Sequence, residues 1–175
     1  MKKILLLATF VAVTLSLSAQ TIPTTVQQGD MALLGQIGYQ TNYERFGISA
    51  QYRYNLMRNI RIAPDVTFFF PKDKVTGLDI NLNAHYVFDL PQDRFSVYPL
   101  AGFGMQNNFH GKHDVRDANG NVVTVDSKSK TSFAVNLGGG ITYALDARSF
   151  VNAEAKFMFA DEDAAVIMIG YGYRF

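Results

Sequence analysis

Along most of this chain, apolar and polar residues alternate with a period of two, in segments of about ten residues parted by turns. Successive side chains of a strand point to opposite faces, so each segment is predicted to be a strand with one apolar and one polar face. Eight such strands are predicted: Met31 to Thr41, Arg45 to Tyr54, Ile60 to Phe70, Gly77 to Phe88, Phe95 to Gln106, Ser132 to Tyr143, Ser149 to Phe159 and Ala165 to Phe175. The fourth is the cleanest, with Leu78, Ile80, Leu82, Ala84, Tyr86 and Phe88 alternating against Asp79, Asn81, Asn83 and His85. In the fifth, Tyr98 and Leu100 blur the polar side. Pro64 and Pro99 fall mid-strand on the apolar face, and since proline cannot donate to a strand ladder each is expected to mark a bulge.

Period two does not say which face is inside, because a soluble eight-stranded barrel would line a cavity with its apolar face. Position along the strands discriminates. The apolar face carries Tyr39, Phe46, Phe68, Phe70, Phe103, Phe133, Phe157 and Phe159 toward one end, and Tyr52, Tyr54, Tyr86, Phe88, Phe95, Tyr143, Tyr171, Tyr173 and Phe175 toward the other. Ile37, Ile48, Ile62, Val66, Leu82, Leu137 and Ile169 lie between them. Two aromatic belts around an aliphatic band match the two interfaces of a bilayer, and a cavity has no reason to sort its lining so. The predicted fold is therefore all-β, an eight-stranded antiparallel up-and-down transmembrane β-barrel with a polar, side-chain-filled lumen. Lumen glycines such as Gly38, Gly102, Gly138 and Gly170 are interspersed with Arg53, Arg61, Asp65, Asp79, His85, Glu154, Lys156 and Arg174, whose mixed signs permit the pairing that buried charge requires.

Composition and charge refine this picture. Met1 to Ala19 has Lys2 and Lys3, an apolar run and a small-residue end, the pattern of a secretory signal peptide; 20–30 then reads as a periplasmic leader and 31–175 as the barrel. Cys 0 leaves no lipid-anchored cysteine and no disulfide framework. Without Lys2 and Lys3, the 16 Lys+Arg fall just below the 15 Asp+Glu, a balance that calls for no nucleic acid.

The predicted connections are short except Asn107 to Thr131, which holds Asn119-Gly120, a hairpin signal, followed by the β-branched run Val122 to Val125. The fifth and sixth strands are expected to continue as a hairpin beyond the membrane, with Lys112, Lys128 and Lys130 near its flanks, and this loop is the candidate interaction surface. No catalytic constellation stands out. His85 reads as a hydrogen-bonded lumen residue, His110 and His113 lack the spacing of a structural metal site, and the apolar face holds neither Ser nor His for lipid chemistry. No cofactor is expected.

The signal-like start, the eight two-faced strands, the segment Pro99 to Gly104 and the terminal IGYGYRF, with Gly170, Tyr173 and Phe175 at the spacing of a barrel-assembly signal, resemble the small OmpA/OmpX-like outer-membrane barrels of bacteria. The resemblance implies an outer-membrane protein surrounded by lipid and lipopolysaccharide, inserted by the barrel-assembly machinery as a monomer, with a structural or adhesion-like role and a host or cell-surface protein as partner. The chain ends at Phe175, so no peptidoglycan-binding domain is expected after the barrel. A lipid-modifying enzyme and a narrow pore are the alternatives.

Overall fold

The structure is a computed structural model that describes residues 27–90, 94–110, 113–116, 122–125 and 128–175. It contains strands β1 (Met31–Gln40), β2 (Arg45–Asn55), β3 (Ile60–Lys72), β4 (Val75–Tyr86), β5 (Phe88–Asp89), β6 (Phe95–His110), β7 (His113–Arg116), β8 (Val122–Val125), β9 (Lys128–Ala144), β10 (Ser149–Phe159) and β11 (Ala164–Arg174). Each pairs antiparallel with its neighbour, and pairing of β1 with β11 and of β4 with β6 closes the sheet into a barrel of eight staves, with β5 continuing β4.

The registers set the stagger. Met31 lies opposite Tyr54, Tyr54 opposite Ile62, Ile62 opposite Ala84, Ala84 opposite Ala101, Ala101 opposite Leu137, Leu137 opposite Phe157 and Phe157 opposite Ala165. The Ala165 carbonyl then accepts from the Thr41 N–H at 2.9 Å, so one circuit of the barrel returns to β1 ten residues further along. That stagger tilts the strands by roughly 40° and leaves an interior wide enough for side chains only.

The side chains sort as the alternation requires. Phe133, Phe103, Phe46, Ile37 and Phe175 stand exposed on the outside, while Gln51, Asn136, Asp79, Lys156 and Glu154 are buried in the lumen. Polar side chains run the length of the lumen, with apolar clusters among them toward both ends. At the end carrying the long β6–β9 hairpin, Phe69, Ala134, Met158, Val166 and Met168 form an inward apolar cluster. At the opposite end Ala32, Leu34 and Phe150 form a second, and Val87, Tyr98 and Leu100 a third. The polar, side-chain-filled lumen expected from the sequence is present, with these apolar clusters set among its polar side chains.

The prolines do not make bulges. Pairing of β2 with β3 lapses opposite Pro64, yet Gln51 opposite Asp65 and Tyr54 opposite Ile62 keep one phase, with three residues elapsed on each strand. Pairing with β6 lapses likewise opposite Pro99, between His85–Leu100 and Phe88–Val97, and this gap separates β4 from β5. Each proline turns its missing N–H toward the lapsed side and stays paired on the other, Pro64 with Leu82 and Pro99 with Gly139. At the second gap the Val87 backbone is satisfied by Asn59, whose carbonyl accepts at 2.7 Å and whose Nδ2 donates at 2.9 Å, as an apolar surround demands. The register irregularity of β3 and β4 falls between Phe69 and Lys72, a stretch that contains Pro71.

Lumen rings lie over glycines in the adjacent strand. Phe69 is paired with Gly47, Phe150 with Gly172 and Tyr98 with Gly140. A Cβ on Gly172 would lie 2.3 Å from the Phe150 ring, and one on Gly140 would lie 2.4 Å from the Tyr98 hydroxyl. Aromatic rings and amides, more than the long charged chains, occupy the space these glycines leave. Gly172→Ala is therefore expected to displace Phe150 and cost about 1–3 kcal/mol, measured by urea unfolding in lipid vesicles. The closed barrel itself predicts a difference in gel mobility between boiled and unboiled protein, with strand-dominated circular dichroism.

Candidate functional site

Two regions bring polar side chains together, the middle of the lumen and the hairpin end. In the lumen, Asp65 from β3 is buried and saturated: Lys156 Nζ lies 3.3 and 3.1 Å from its two oxygens, Asn81 donates to Oδ1 at 2.8 Å and Asn83 to Oδ2 at 3.0 Å. Asn136 from β9 donates to the carbonyl oxygens of both asparagines at 2.9 Å. Five charge-bearing or amide groups from four strands therefore share one carboxylate layer, in which the ion pair has the further hydrogen bonds that make burial tolerable.

Next to it lies a layer centred on Tyr98. Its hydroxyl accepts from Arg53 Nη2 at 2.9 Å and lies within donating distance of Asn152 Oδ1, 3.0 Å, and Glu154 Oε2, 2.8 Å. Arg53 also donates to Gln51 at 2.7 Å and stands 3.9 Å from Glu154. The Tyr98 ring stacks on His85 at 4.4 Å, with the guanidinium carbons of Arg53 and Arg61 at 5.3 and 4.8 Å from its centroid. Arg61 points two donors at His85 Nδ1, 3.0 Å from Nη2 and 3.3 Å from Nε. Since guanidinium only donates, that nitrogen must accept, and His85 is the neutral tautomer protonated at Nε2.

Of the lumen residues expected from the sequence, Arg53, Arg61, Asp65, His85, Glu154 and Lys156 join these two layers. Asp79 and Arg174 stand apart. Asp79 is 1% exposed, yet neither carboxylate oxygen has a hydrogen-bond partner among the described residues. Arg174 is half-buried at the mouth, 5.1 Å from the Phe150 ring. Sequence reasoning missed Tyr98, and it missed Arg45, which donates to Gln40 and Asn108 at 2.7 Å while lying 4.9 Å from the Phe69 ring. Tyr98 shares the parity of Ser96, Gly102 and Gly104 and faces Gly140 across the strands, a pattern that could have placed it.

At the hairpin end, β6 and β9 stay paired out to His110 opposite Lys128, and three residues further His113 pairs with Val125 in unbroken phase. The expected outward continuation is present. Lys112, Asn119 and Gly120 lie outside the described residues, as does the side chain of Lys128. Lys130 Nζ lies 2.8 Å from Glu162 Oε1, Tyr43 donates to the other oxygen of Glu162, and Ser132 donates to Asp161 at 3.3 Å. These contacts tie the connection 41–44, the connection 160–163 and the base of β9 together. Burial, followed by its bond to Glu162, pushes the Tyr43 hydroxyl up to about 12, and the bonds from Lys130 and Tyr43 hold Glu162 below the usual carboxylate range. Among the described residues no three His, Cys, Asp or Glu side chains come together to hold a metal ion.

The terminal strand presents Tyr173 and Phe175 outward, with Arg148 donating to the Tyr173 hydroxyl at 3.1 Å and the Phe175 N–H bonded to Met31 O at 3.1 Å. Gly170 faces the lumen, where a Cβ would lie 2.3 Å from the Gly35 carbonyl and 2.5 Å from Gln36 Cγ. The family model for the outer membrane protein beta-barrel domain matches residues 5–175. The chain belongs to this family.

This family of outer-membrane barrels fits the geometry: a closed sheet with its apolar face outward places the protein in the bacterial outer membrane. The N-terminal β-barrel domain of Pseudomonas aeruginosa OprF superposes with a TM-score of 0.68 at 17% identity, over 85% of this chain and 98% of that one. Ail, the attachment invasion locus protein of Yersinia pestis, gives 0.59 at 16% identity, over 85% and 100%. Neisserial surface protein A gives 0.57 at 16%, over 83% and 94%. Ail has also been solved in complex with the heparin analogue sucrose octasulfate, and that structure gives 0.57 at 19% identity over 85% of this chain and 100% of that one. At these identities the likeness shows the fold alone. No characterised sequence matches the chain.

Three consequences are testable by unfolding in lipid vesicles. Tyr98→Phe leaves Arg53, Asn152 and Glu154 each short of a partner and is expected to cost about 1–3 kcal/mol. Lys156→Met strands the Asp65 charge and is expected to cost about 3–5 kcal/mol, with much of it recovered when Asp65→Asn is added. For Glu162, held low in the folded loops, the stabilisation is fully present above the ordinary carboxylate range and is lost as pH falls from that range through the lowered folded value. Hydrogen exchange in 41–44 should accelerate on acidification over that window, and Glu162→Gln should abolish the pH dependence.

Proposed function

We propose that this protein is a non-enzymatic outer-membrane barrel with a structural or surface-interaction role, exercised through its extracellular loops and chiefly through 107–131. The observation that carries the reading is the contrast between the two ends of the chain's chemistry. The middle of the lumen is occupied by the interlocked Asp65 and Tyr98 layers, which supports a structural plug in place of a pore. The β6–β9 ribbon extends past the other staves, with strands of 16 and 17 residues against 10 to 13 elsewhere in the barrel wall apart from the two-residue β5.

Beyond the barrel β7 and β8 pair only with each other among the described residues, leaving strand edges to which an extended segment of a host or cell-surface protein could add. Lys112, Lys128 and Lys130 make an anionic partner equally acceptable, and Ail's complex with a heparin analogue gives that chemistry a precedent on this fold. Outer-membrane lipid and lipopolysaccharide surround a monomeric barrel. Residues 1–19 direct export, 20–30 form the periplasmic leader, and Gly170, Tyr173 and Phe175 present the last strand to the barrel-assembly machinery. No cofactor takes part.

Replacing residues 111–127 with a short Asn-Gly turn tests the reading, with heat-modifiability as the folding control. Binding of the nanodisc-embedded protein to immobilised heparin and to host-cell surfaces is expected to be lost with the loop; unchanged binding would move the activity elsewhere. The pore alternative predicts stepwise conductance in planar bilayers, whereas the filled lumen predicts none.

A further inference from the structure

Small side chains beside Pro99 leave a groove in the outer wall of the barrel. Ala84 lies opposite Ala101 and Pro99 opposite Gly139, so the apolar face is thin here. Ile60, Tyr86 and Leu137, all exposed, rise around them. The groove has a volume of about 550 Å³, within the roughly 300–1,000 Å³ of small-molecule sites. It lies where the ladder of β4 and β5 with β6 lapses, between His85–Leu100 and Phe88–Val97.

This groove faces lipid, since Leu82, Phe88 and Phe103 beside it are exposed and apolar. Its polar residues are two: His85 turns its ring inward onto Tyr98, and Tyr86 packs its ring 4.8 Å from Phe88. In a bilayer such a hollow is filled because its walls otherwise forfeit dispersion contacts, and a flexible hydrocarbon chain suits it. Nine residues line it, well short of the roughly 20–30 a side that a stable protein interface takes. A second barrel is therefore a poorer occupant than a single chain.

A cation stands at the same edge. The turn 56–59 leads into Ile60 and is fastened to the lapse by Asn59, whose carbonyl accepts the Val87 N–H at 2.7 Å and whose Nδ2 donates to Val87 O at 2.9 Å. Arg58 in this turn is exposed and makes no hydrogen bond or ion pair among the described residues. Leu56 and Met57 before it are exposed as well, so the turn joins apolar surface to a positive charge. We propose that the groove binds one phospholipid of the leaflet away from the hairpin, with an acyl chain over Ala84, Pro99 and Ala101 and the phosphate on Arg58. The groove runs from Ile60 and Tyr86, beside that turn and in the aromatic belt, toward Leu137 in the aliphatic band, as a chain runs from its headgroup. Guanidinium suits phosphate oxygens because it presents paired donors and stays charged.

The test titrates the full chain, folded in detergent, with a phosphatidylglycerol and reads native mass spectra, with heat-modifiability as the folding control. A single lipid is expected to stay on the monomer after collisional activation strips the rest. Ala101→Phe, which fills the groove, should remove that adduct. Arg58→Gln should weaken it about two- to fivefold, the worth of an exposed ion pair. Ile169→Phe, an equally outward change on β11 across the barrel, should leave it intact. No retained lipid, an adduct that Ala101→Phe spares or Ile169→Phe also removes, or a dimer in place of the lipid-bound monomer overturns the site; an affinity that Arg58→Gln leaves unaltered overturns the phosphate contact. Should Ala101→Phe fail to fold, crystals of the unaltered protein grown with a chain-brominated phosphatidylglycerol decide: an anomalous peak over Ala84 and Ala101 is the expected result, and a peak only elsewhere, or none, overturns it.

Discussion

Everything in this molecule follows from the requirement that backbone N–H and C=O groups in lipid be satisfied by the chain itself. Eight short strands meet it only by closing on one another, and the ten-residue stagger that runs from Met31 round to Thr41 fixes how tightly they close. An interior of that width admits one layer of side chains from each strand and no column of water. Hence lumen rings take glycines opposite, as Phe150 does with Gly172, and the Asp65–Lys156 pair takes further amide partners. The prolines show the same constraint from the other side. Pro64 and Pro99 each remove a donor, and the barrel keeps phase across both by letting one ladder lapse locally.

The outer surface was legible in the sequence because lipid selects it uniformly. Every residue that faces out must be apolar, and its depth decides whether it is aliphatic or aromatic, so alternation and belts could be read without knowing which strands are neighbours. The inner surface obeys no such local rule. Whether Tyr98 belongs in a polar lumen depends on Gly140 making room for it and on Arg53, Asn152 and Glu154 arriving from β2 and β10. Those partners lie 45 to 56 positions away, and only the register brings them together. The same holds for the apolar clusters: Phe69, Met158 and Val166 sit at parity positions that alternation marks as interior, but their clustering at one level depends on the tilt. Bulges were misplaced for a related reason, since proline's effect depends on which neighbour its nitrogen faces.

The lumen and the loops divide the work. Interlocked buried layers hold the barrel from within, which frees the connections from much of the duty to hold the fold. Even so, the hairpin end is not loose at its base, because Glu162 gathers Tyr43 and Lys130 from two other parts of the chain. Such a clasp fixes the direction in which the β6–β9 ribbon leaves the membrane without restricting what lies farther out along it.

Charge is also distributed by depth. The middle layer is neutral, with Lys156 against Asp65, while the inner layer gathers Arg53, Arg61 and Arg174 about two aromatic rings. Cation–π contact with Tyr98 and Phe150 adds to what Glu154 and Asp30 supply, since a ring polarises toward a cation without cancelling its charge. At the inner mouth Asp30, Asp89 and Asp146 stand within electrostatic reach of Arg174, so the inner layer also sets opposite charges against one another. Charge and bulk are carried by the same side chains, so truncating Lys156 or Tyr98 removes volume and polar partners from the lumen at once.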